Sequence, residues 1–271
     1  MDSENTVLKS RKIRIYPTSR QREILRQWFG VSRYVYNQTI AYLKKEGTIA
    51  NWMAIKKWLL PSLPEWAKDT PYQIKAIAVK DACQAVKLCK RKFRETHQFN
   101  EAKFRRRHDK KQSVFIPNSA LKVDHGVYYT LLGDLKSFEP YPKPDGDCRL
   151  VYQSGRWFIS VPIETTCKSE NQGRIVAIDP GVRTFATFYS PNSCGKLGCK
   201  DFSRVHRLCY WLDDLISRMS KACRRQRYKM RKAADRMRWR IRDLIDELHH
   251  KTALFLVSNF DIIFIPKFET G

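Results

Sequence analysis

The feature that most constrains this chain is a run from Cys199 to Ile265 that contains neither glycine nor proline. Within it Leu212, Leu215, Met219, Ala222, Met230, Ala233, Met237, Ile241, Leu244 and Leu248 recur at threes and fours, which predicts one very long helix or a helical hairpin. Apolar, strand-like segments flank the run. Upstream, RIVAIDPGVRTFATFYSP joins two β-branched stretches through Asp-Pro-Gly and reads as a β-hairpin, with Asp179 at the end of its first strand. Downstream, FDIIFIPKFETG reads as a strand ending at Pro266, with Glu269 just beyond it. The order strand, hairpin, long helix, strand lets the first and last strands join one mixed sheet.

A carboxylate at the end of an apolar strand is either a turn former that accepts backbone N–H groups or a metal ligand on a rigid support. Asp179 and Glu269 each stand at such a place. If they are neighbours in space, their repulsion is costly unless a divalent cation neutralises it, and Mg2+ takes one or two carboxylates plus phosphate oxygens. Two such ions about 4 Å apart would clamp both oxygens of a phosphodiester cleavage.

Charge points the same way. The 271 residues carry 52 Lys and Arg against 27 Asp and Glu, a formal net charge of +25, which opposes compactness and signals a polyanionic partner. With 42% hydrophobic residues the chain can still build a core, so it is not a disordered polycation. No apolar run approaches the roughly 20 residues needed to span a bilayer, and MDSENTVLKS has no signal-peptide core, so no membrane partner and an intracellular location are expected. The eight cysteines include no C-x-x-C pair and read as reduced structural residues; Cys194 and Cys199 are spaced so that a zinc knuckle is conceivable.

Along the chain, Lys9 to Tyr16 alternates like a strand, and Thr18-x-x-Gln21 offers a capping box. Apolar residues at helical spacing on either side of Gly30 suggest two short helices meeting there, ended by Gly47. The segment 72–97 lacks Gly and Pro and keeps Ile74, Ala78, Ala82 and Ala85 on one face, which predicts a helix with a basic outer face that includes Lys75, Lys80 and Lys87. KFRRRHDKK then precedes short alternating runs over 113–164 that predict a small β-barrel or sheet, and TTCKSENQG reads as a linker. Between Lys221 and Arg242, eleven Lys and Arg face a single acid, Asp235. A surface helix usually mixes signs, so this stretch argues for an anionic rod alongside it; Tyr228 and Trp239 could stack on bases or pack in a core.

The sequence resembles the TnpB family of transposon-encoded RNA-guided DNA endonucleases, relatives of type V CRISPR effectors and Fanzor proteins, almost end to end. IRIYPTSRQREILRQWFGVSRYVYNQTI is similar to the family's N-terminal strand and helical segment, FRRRHDKKQSVFIP to its basic crossover, and QSGRWFISVPIE to its closing barrel strands. VAIDPGVRTFATFYSP is similar to the first RuvC motif and IIFIPKFET to the second, which makes Asp179 and Glu269 the catalytic, metal-binding acids that the resemblance implies.

The resemblance implies an α+β protein. Its recognition lobe would span 1–172, a wedge-like β-barrel of 1–16 and 113–164 with a helical insertion at 17–112, and an RNase H-like RuvC nuclease domain with long helices would span 173–271. It implies a guide RNA and target double-stranded DNA as partners of a monomeric protein in a ribonucleoprotein. It also implies cleavage beside a short adjacent motif with Mg2+ in a two-metal site. Lys75, Lys80 and Lys87 are the candidates for contacting the motif-containing duplex. Arg105, Arg106, Arg107, Arg224, Arg225, Arg227, Arg231 and Arg238 are the candidates for guide or heteroduplex phosphates.

Full members continue with a Zn2+ ribbon of two C-x-x-C pairs and a third catalytic aspartate, none of which this sequence contains, so Zn2+ is expected only in such a ribbon and the 271-residue chain is expected to bind rather than cut. The location implied is the cytoplasm or nucleoid of a prokaryote, or the nucleus of a eukaryotic or viral host. The rival reading is a nuclease-inactive RNA-guided repressor or a general RNA- or DNA-binding protein. An actin-like ATPase, which also opens with a strand-Asp-x-Gly hairpin, has no use for such charge, and no glycine-rich adenosine motif follows Asp179.

Overall fold

In the computed structural model, residues 5–167, 173–181 and 183–267 are described, and the chain divides into two compact units, Met1–Cys167 and Lys168–Gly271. Helices and strands are both well represented in a mixed α+β architecture.

The first unit opens with β1 (Asn5–Ile15) and α1 (Ser19–Leu43). The capping box forms as predicted: the Thr18 hydroxyl accepts from the Gln21 N–H at 3.3 Å, while the Gln21 side chain accepts from the Thr18 N–H at 2.8 Å. The buried Gln21 amide also donates to the Leu132 and Asp134 carbonyls at 3.0 and 2.8 Å, so the cap anchors a distant turn. Contrary to the expectation of two helices, α1 runs unbroken through Gly30. A mid-helix glycine costs only about 1 kcal/mol, and burial of Trp28, Phe29, Val31 and Val35 around it outweighs that.

Next come α2 (Trp52–Leu59) and α3 (Tyr72–Thr96), the latter as the periodicity predicts, closed by His97 in the left-handed conformation. β2 (Lys111–Ile116), the short pair β3 (Leu121–Lys122) and β4 (Gly126–Val127), the single turn α4 (Tyr129–Leu132), β5 (Cys148–Gln153) and β6 (Arg156–Cys167) complete the unit.

The main sheet has the order β1-β6-β5-β2, antiparallel throughout. It is an open sheet with β1 and β2 at its edges, so the expected β-barrel is not closed among the described residues. The inward positions Ile13, Ile15, Val114, Ile116, Leu150, Trp157 and Ile159 pack against Leu25, Trp28 and Phe29 of α1. A second core joins the rest of α1 to α2 and α3. Burial pushes the Cys148 thiol up to about 11, consistent with an inert structural cysteine.

The second unit contains β7 (Ile175–Pro180), β8 (Thr184–Ser190), β9 (Ser193–Cys199), α5 (Asp201–Lys221), α6 (Arg224–Asn259) and β10 (Ile262–Phe264). The Gly- and Pro-free run therefore resolves as a hairpin that turns at Ala222–Cys223. The sheet order is β10-β7-β8-β9, with β10 parallel to β7 and the other pairs antiparallel, so the first and last strands do join one mixed sheet. Its core is Val176, Ile178, Ala186 and Phe188 with Leu256 of α6.

Candidate carboxylate site and nucleic-acid interface

The hairpin RIVAIDPG places Asp179 by simple alternation. Val176 and Ile178 point into the core, while Ala177 and Asp179 share the exposed face, where Asp179 sits opposite Thr187 of β8. Among the described residues nothing donates a hydrogen bond to its carboxylate; Val182, in the turn that follows, lies outside them. On its other side β7 is flanked by β10 in the register Ile262–Ile175, Ile263–Val176 and Phe264–Ala177.

Arg174 and Asp261 fix that register. The Asp261 carboxylate accepts from the Arg174 backbone N–H at 2.9 Å and from its guanidinium at 3.2 and 3.3 Å, and the Asp261 and Ile262 N–H groups donate to the Arg174 carbonyl at 2.8 and 3.0 Å. The chain thus leaves β10 at the sheet end where Asp179 lies. Glu269 falls outside the described residues, and among those described no group of three His, Cys, Asp or Glu could hold a metal. What Asp179 offers an ion is a solvent-facing carboxylate, with no donor on it among the described residues, on a strand paired on both sides, and a carboxylate oxygen is the ligand type a hard divalent cation takes.

Cys194 and Cys199 lie near opposite ends of β9, five residues apart. An odd separation puts them on opposite faces, about 16 Å apart along the strand, so they cannot share a zinc ion.

The cationic candidates separate into free and engaged groups. In the first unit, the Lys75 ammonium donates to the Ala67 and Lys68 carbonyls at 3.3 and 2.9 Å, and burial lowers its pKa while Asp69 opposes the shift. Its charge is therefore turned toward backbone. The half-buried Lys80 lies 5.6 Å from the Trp52 ring centre, and Lys87 is exposed. Arg105 stacks on Tyr36 at 3.9 Å and pairs with Asp81 at 3.2 Å, and the same carboxylate takes both ends of Arg149 at 3.1 Å each. Arg106 and Arg107 are exposed beside it. Asp81 and Arg149 escaped the sequence reading because a single charge on an apolar face carries no periodic signal.

On α6 of the second unit, Arg224, Arg225 and Arg231 face solvent. Arg227 donates to the Ser220 and Ala222 carbonyls at 3.4 and 3.0 Å, closing the end of α5, and Arg238 pairs with Asp235 at 3.0 Å. Tyr228 is exposed with the Lys232 ammonium 4.5 Å from its ring centre, whereas Trp239 is buried, so of the two aromatics Trp239 belongs to the core. Arg224, Arg225, Tyr228, Lys229 and Lys232 line one shallow hollow.

The second unit carries both a sheet-borne carboxylate and a cationic helical hairpin, and comparison with known proteins shows what the chain is similar to. A profile described as "Helix-turn-helix domain" (HTH_OrfB_IS605) matches residues 1–46. The described part of that segment is a strand and one continuous helix.

A "Putative transposase" of Paramecium bursaria Chlorella virus 1 is 26% identical over 97% of this chain and 67% of its own length. Two TnpB-like proteins of Acanthamoeba polyphaga mimivirus are 24% and 23% identical over 96% of this chain and 55% of their own. The chain thus spans about two thirds of the first relative and about half of the other two. The solved "Cryo-EM structure of the Cas12f1-sgRNA-target DNA complex" contains a chain 15% identical, with 96% of this chain and 73% of that one covered, at a TM-score of 0.36. That score is too low to carry an argument about this chain. By sequence the chain is similar to TnpB-like and transposase proteins along nearly its whole length.

Proposed function

We propose that this chain supplies the nucleic-acid-binding part and two of the acids of an RNA-guided DNA endonuclease of the TnpB type. In this reading it binds a guide RNA derived from a transposon end and double-stranded DNA next to a short adjacent motif, inside the cell that carries the transposon. The observation that carries the proposal is the solvent-facing carboxylate of Asp179 at the end of a strand flanked by the parallel strand that precedes Glu269 in the chain. The sheet order and the intervening hairpin support an RNase H-like, RuvC-type unit.

Asp179 and Glu269 would hold Mg2+, which when bound supplies Lewis-acid stabilisation of charge on phosphodiester oxygens. The exposed arginines of α6 would lie against phosphates, and Arg227, Arg105 and Lys75 would keep the structural contacts described above. Sequence discrimination would come from base pairing with the guide, with the protein sensing backbone and shape.

The test is to purify the protein from a host carrying the surrounding transposon and sequence the RNA that copurifies. One discrete structured RNA is the expected result. Random cellular RNA, in proportion to its abundance, would contradict the guide reading and leave a general nucleic-acid binder.

A further inference from the structure

Three guanidinium groups converge on one hollow of the first unit. Arg26 and Arg33 come from α1 and Arg107 from the crossover before β2, around a space of about 330 Å3. The floor is aromatic: Tyr152 of β5 and Trp157 of β6 have ring centres 4.7 Å apart.

The crossover is fastened on both sides. The Gln112 amide, from the wall of the hollow, donates to the Arg107 and Asp109 carbonyls at 3.0 and 3.2 Å. Two residues earlier, the Asn37 side chain accepts from the Arg105 N–H at 2.8 Å and donates to its carbonyl at 3.0 Å. Arg107 is therefore carried on a held backbone.

Among the described residues, no ion pair within 4.0 Å compensates any of the three arginines. Asp109, which acts on Arg33 electrostatically, has its carboxylate engaged by the Arg106 N–H at 2.8 Å. Burial first, and then repulsion by Arg107, lowers the Arg33 pKa, with Asp109 opposing. Three like charges around one concave space, Arg33 half-buried among them, repel one another, and a bound anion relieves that repulsion. Guanidinium groups match phosphate in bidentate geometry, and an aromatic floor matches the face of a base.

We propose that this hollow binds one nucleotide unit of a nucleic-acid strand, its phosphate held by Arg26, Arg33 and Arg107 and its base packed against Tyr152, which the buried Trp157 backs. The volume lies at the small end of ligand pockets, about 300 to 1,000 Å3, and suits a single nucleotide. The inference rests on the nucleic-acid-binding half of the function proposed above and not on cleavage. It assigns Arg26 and Arg33, which no charge run in the sequence singles out.

Calorimetric titration of the 271-residue protein tests it with adenosine monophosphate, inorganic phosphate, adenosine and a short single-stranded RNA. Adenosine monophosphate is expected to bind at least about tenfold tighter than phosphate or adenosine and to compete with the RNA. The double variant Arg26→Gln/Arg107→Gln, at two exposed positions, should weaken it about tenfold or more. Lys57→Gln/Lys122→Gln, at two exposed positions away from the hollow, should leave it unchanged, and thermal melts would verify that both variants fold.

Absence of nucleotide binding, equal affinity for phosphate and nucleotide, or an unaffected Arg26/Arg107 double variant would each overturn the assignment. Failure of the RNA to compete would restrict the hollow to free nucleotides and overturn its role on a strand. Random copurifying RNA would defeat the guide reading while leaving this site standing, so the two failures are distinguishable.

Discussion

Phe264 of β10 lies beside Ala177 of β7 in parallel register, two residues before Asp179 and on the edge that the chain follows toward Glu269. This pairing fixes where Asp179 stands, at the end of a strand flanked by β10, and stability can separate a ligand role from a turn-forming one. Asp179 is exposed and no hydrogen bond holds its carboxylate among the described residues, so Asp179→Asn should change unfolding free energy by no more than about 0.5 kcal/mol. Thermal and denaturant melts would check this. A loss of about 2 kcal/mol would return Asp179 to a structural role.

Two glycines should respond in opposite directions. Gly198 has φ +65°, and an added Cβ would lie 2.6 Å from Leu248 Cδ1 and 2.8 Å from Phe185 Cβ, so Gly198→Ala should destabilise the second unit by about 1 to 3 kcal/mol. A Cβ on Gly30 would meet nothing closer than Arg33 Nη2 at 3.9 Å, so Gly30→Ala within α1 should stabilise by about 0.5 to 1 kcal/mol. Chemical denaturation of both variants measures the pair.

Asp81 joins α3 to the crossover and to β5 by holding Arg105 and Arg149 at once. Because both arginines keep about a third of their side chains in water, Asp81→Asn should cost less than a fully buried pair, roughly 1 to 3 kcal/mol, read from the denaturation midpoint. Arg105→Gln should likewise lower stability, whereas Arg106→Gln, at an exposed position, should not.

The α6 cations should reveal themselves through salt. Replacing Arg224, Arg225 and Arg231 by Gln should weaken duplex binding and reduce the slope of log affinity against log salt by about 0.9 for each phosphate no longer neutralised. Arg227→Gln should instead lower stability, because Arg227 closes α5 at the Ser220 and Ala222 carbonyls. Anisotropy titrations across a salt series distinguish these outcomes.

The sequence revealed the elements better than their closure. The capping box at Thr18 and Gln21, the 72–97 helix and the strand–hairpin–helix–strand order are local or periodic signals, and the structure has them all. Gly30 misled because burial of its neighbours outweighs its helix propensity. The barrel expectation failed because alternation identifies strands but does not say whether the edge strands β1 and β2 pair. The turn at Ala222–Cys223 was hidden because the hairpin needs neither glycine nor proline there.

Within the candidate sites, charge runs marked the basic segments but not the job of each cation. Lys75, Arg105 and Arg227 are spent on carbonyls or a carboxylate that lie far off in sequence or across a turn. The position of Asp179 at a strand end was legible because an acid interrupts an apolar run, and the role of Asp81 was not because its partners come from two other segments.

Manganese binding, read by water-proton relaxation on the 271-residue protein with DNA bound, tests the shared-ion claim most directly. The wild-type chain should bind the ion, and Asp179→Asn and Glu269→Gln should each lose it, the double variant being no worse than either single one. Unchanged binding in both single variants would contradict the assignment of the two carboxylates to one ion.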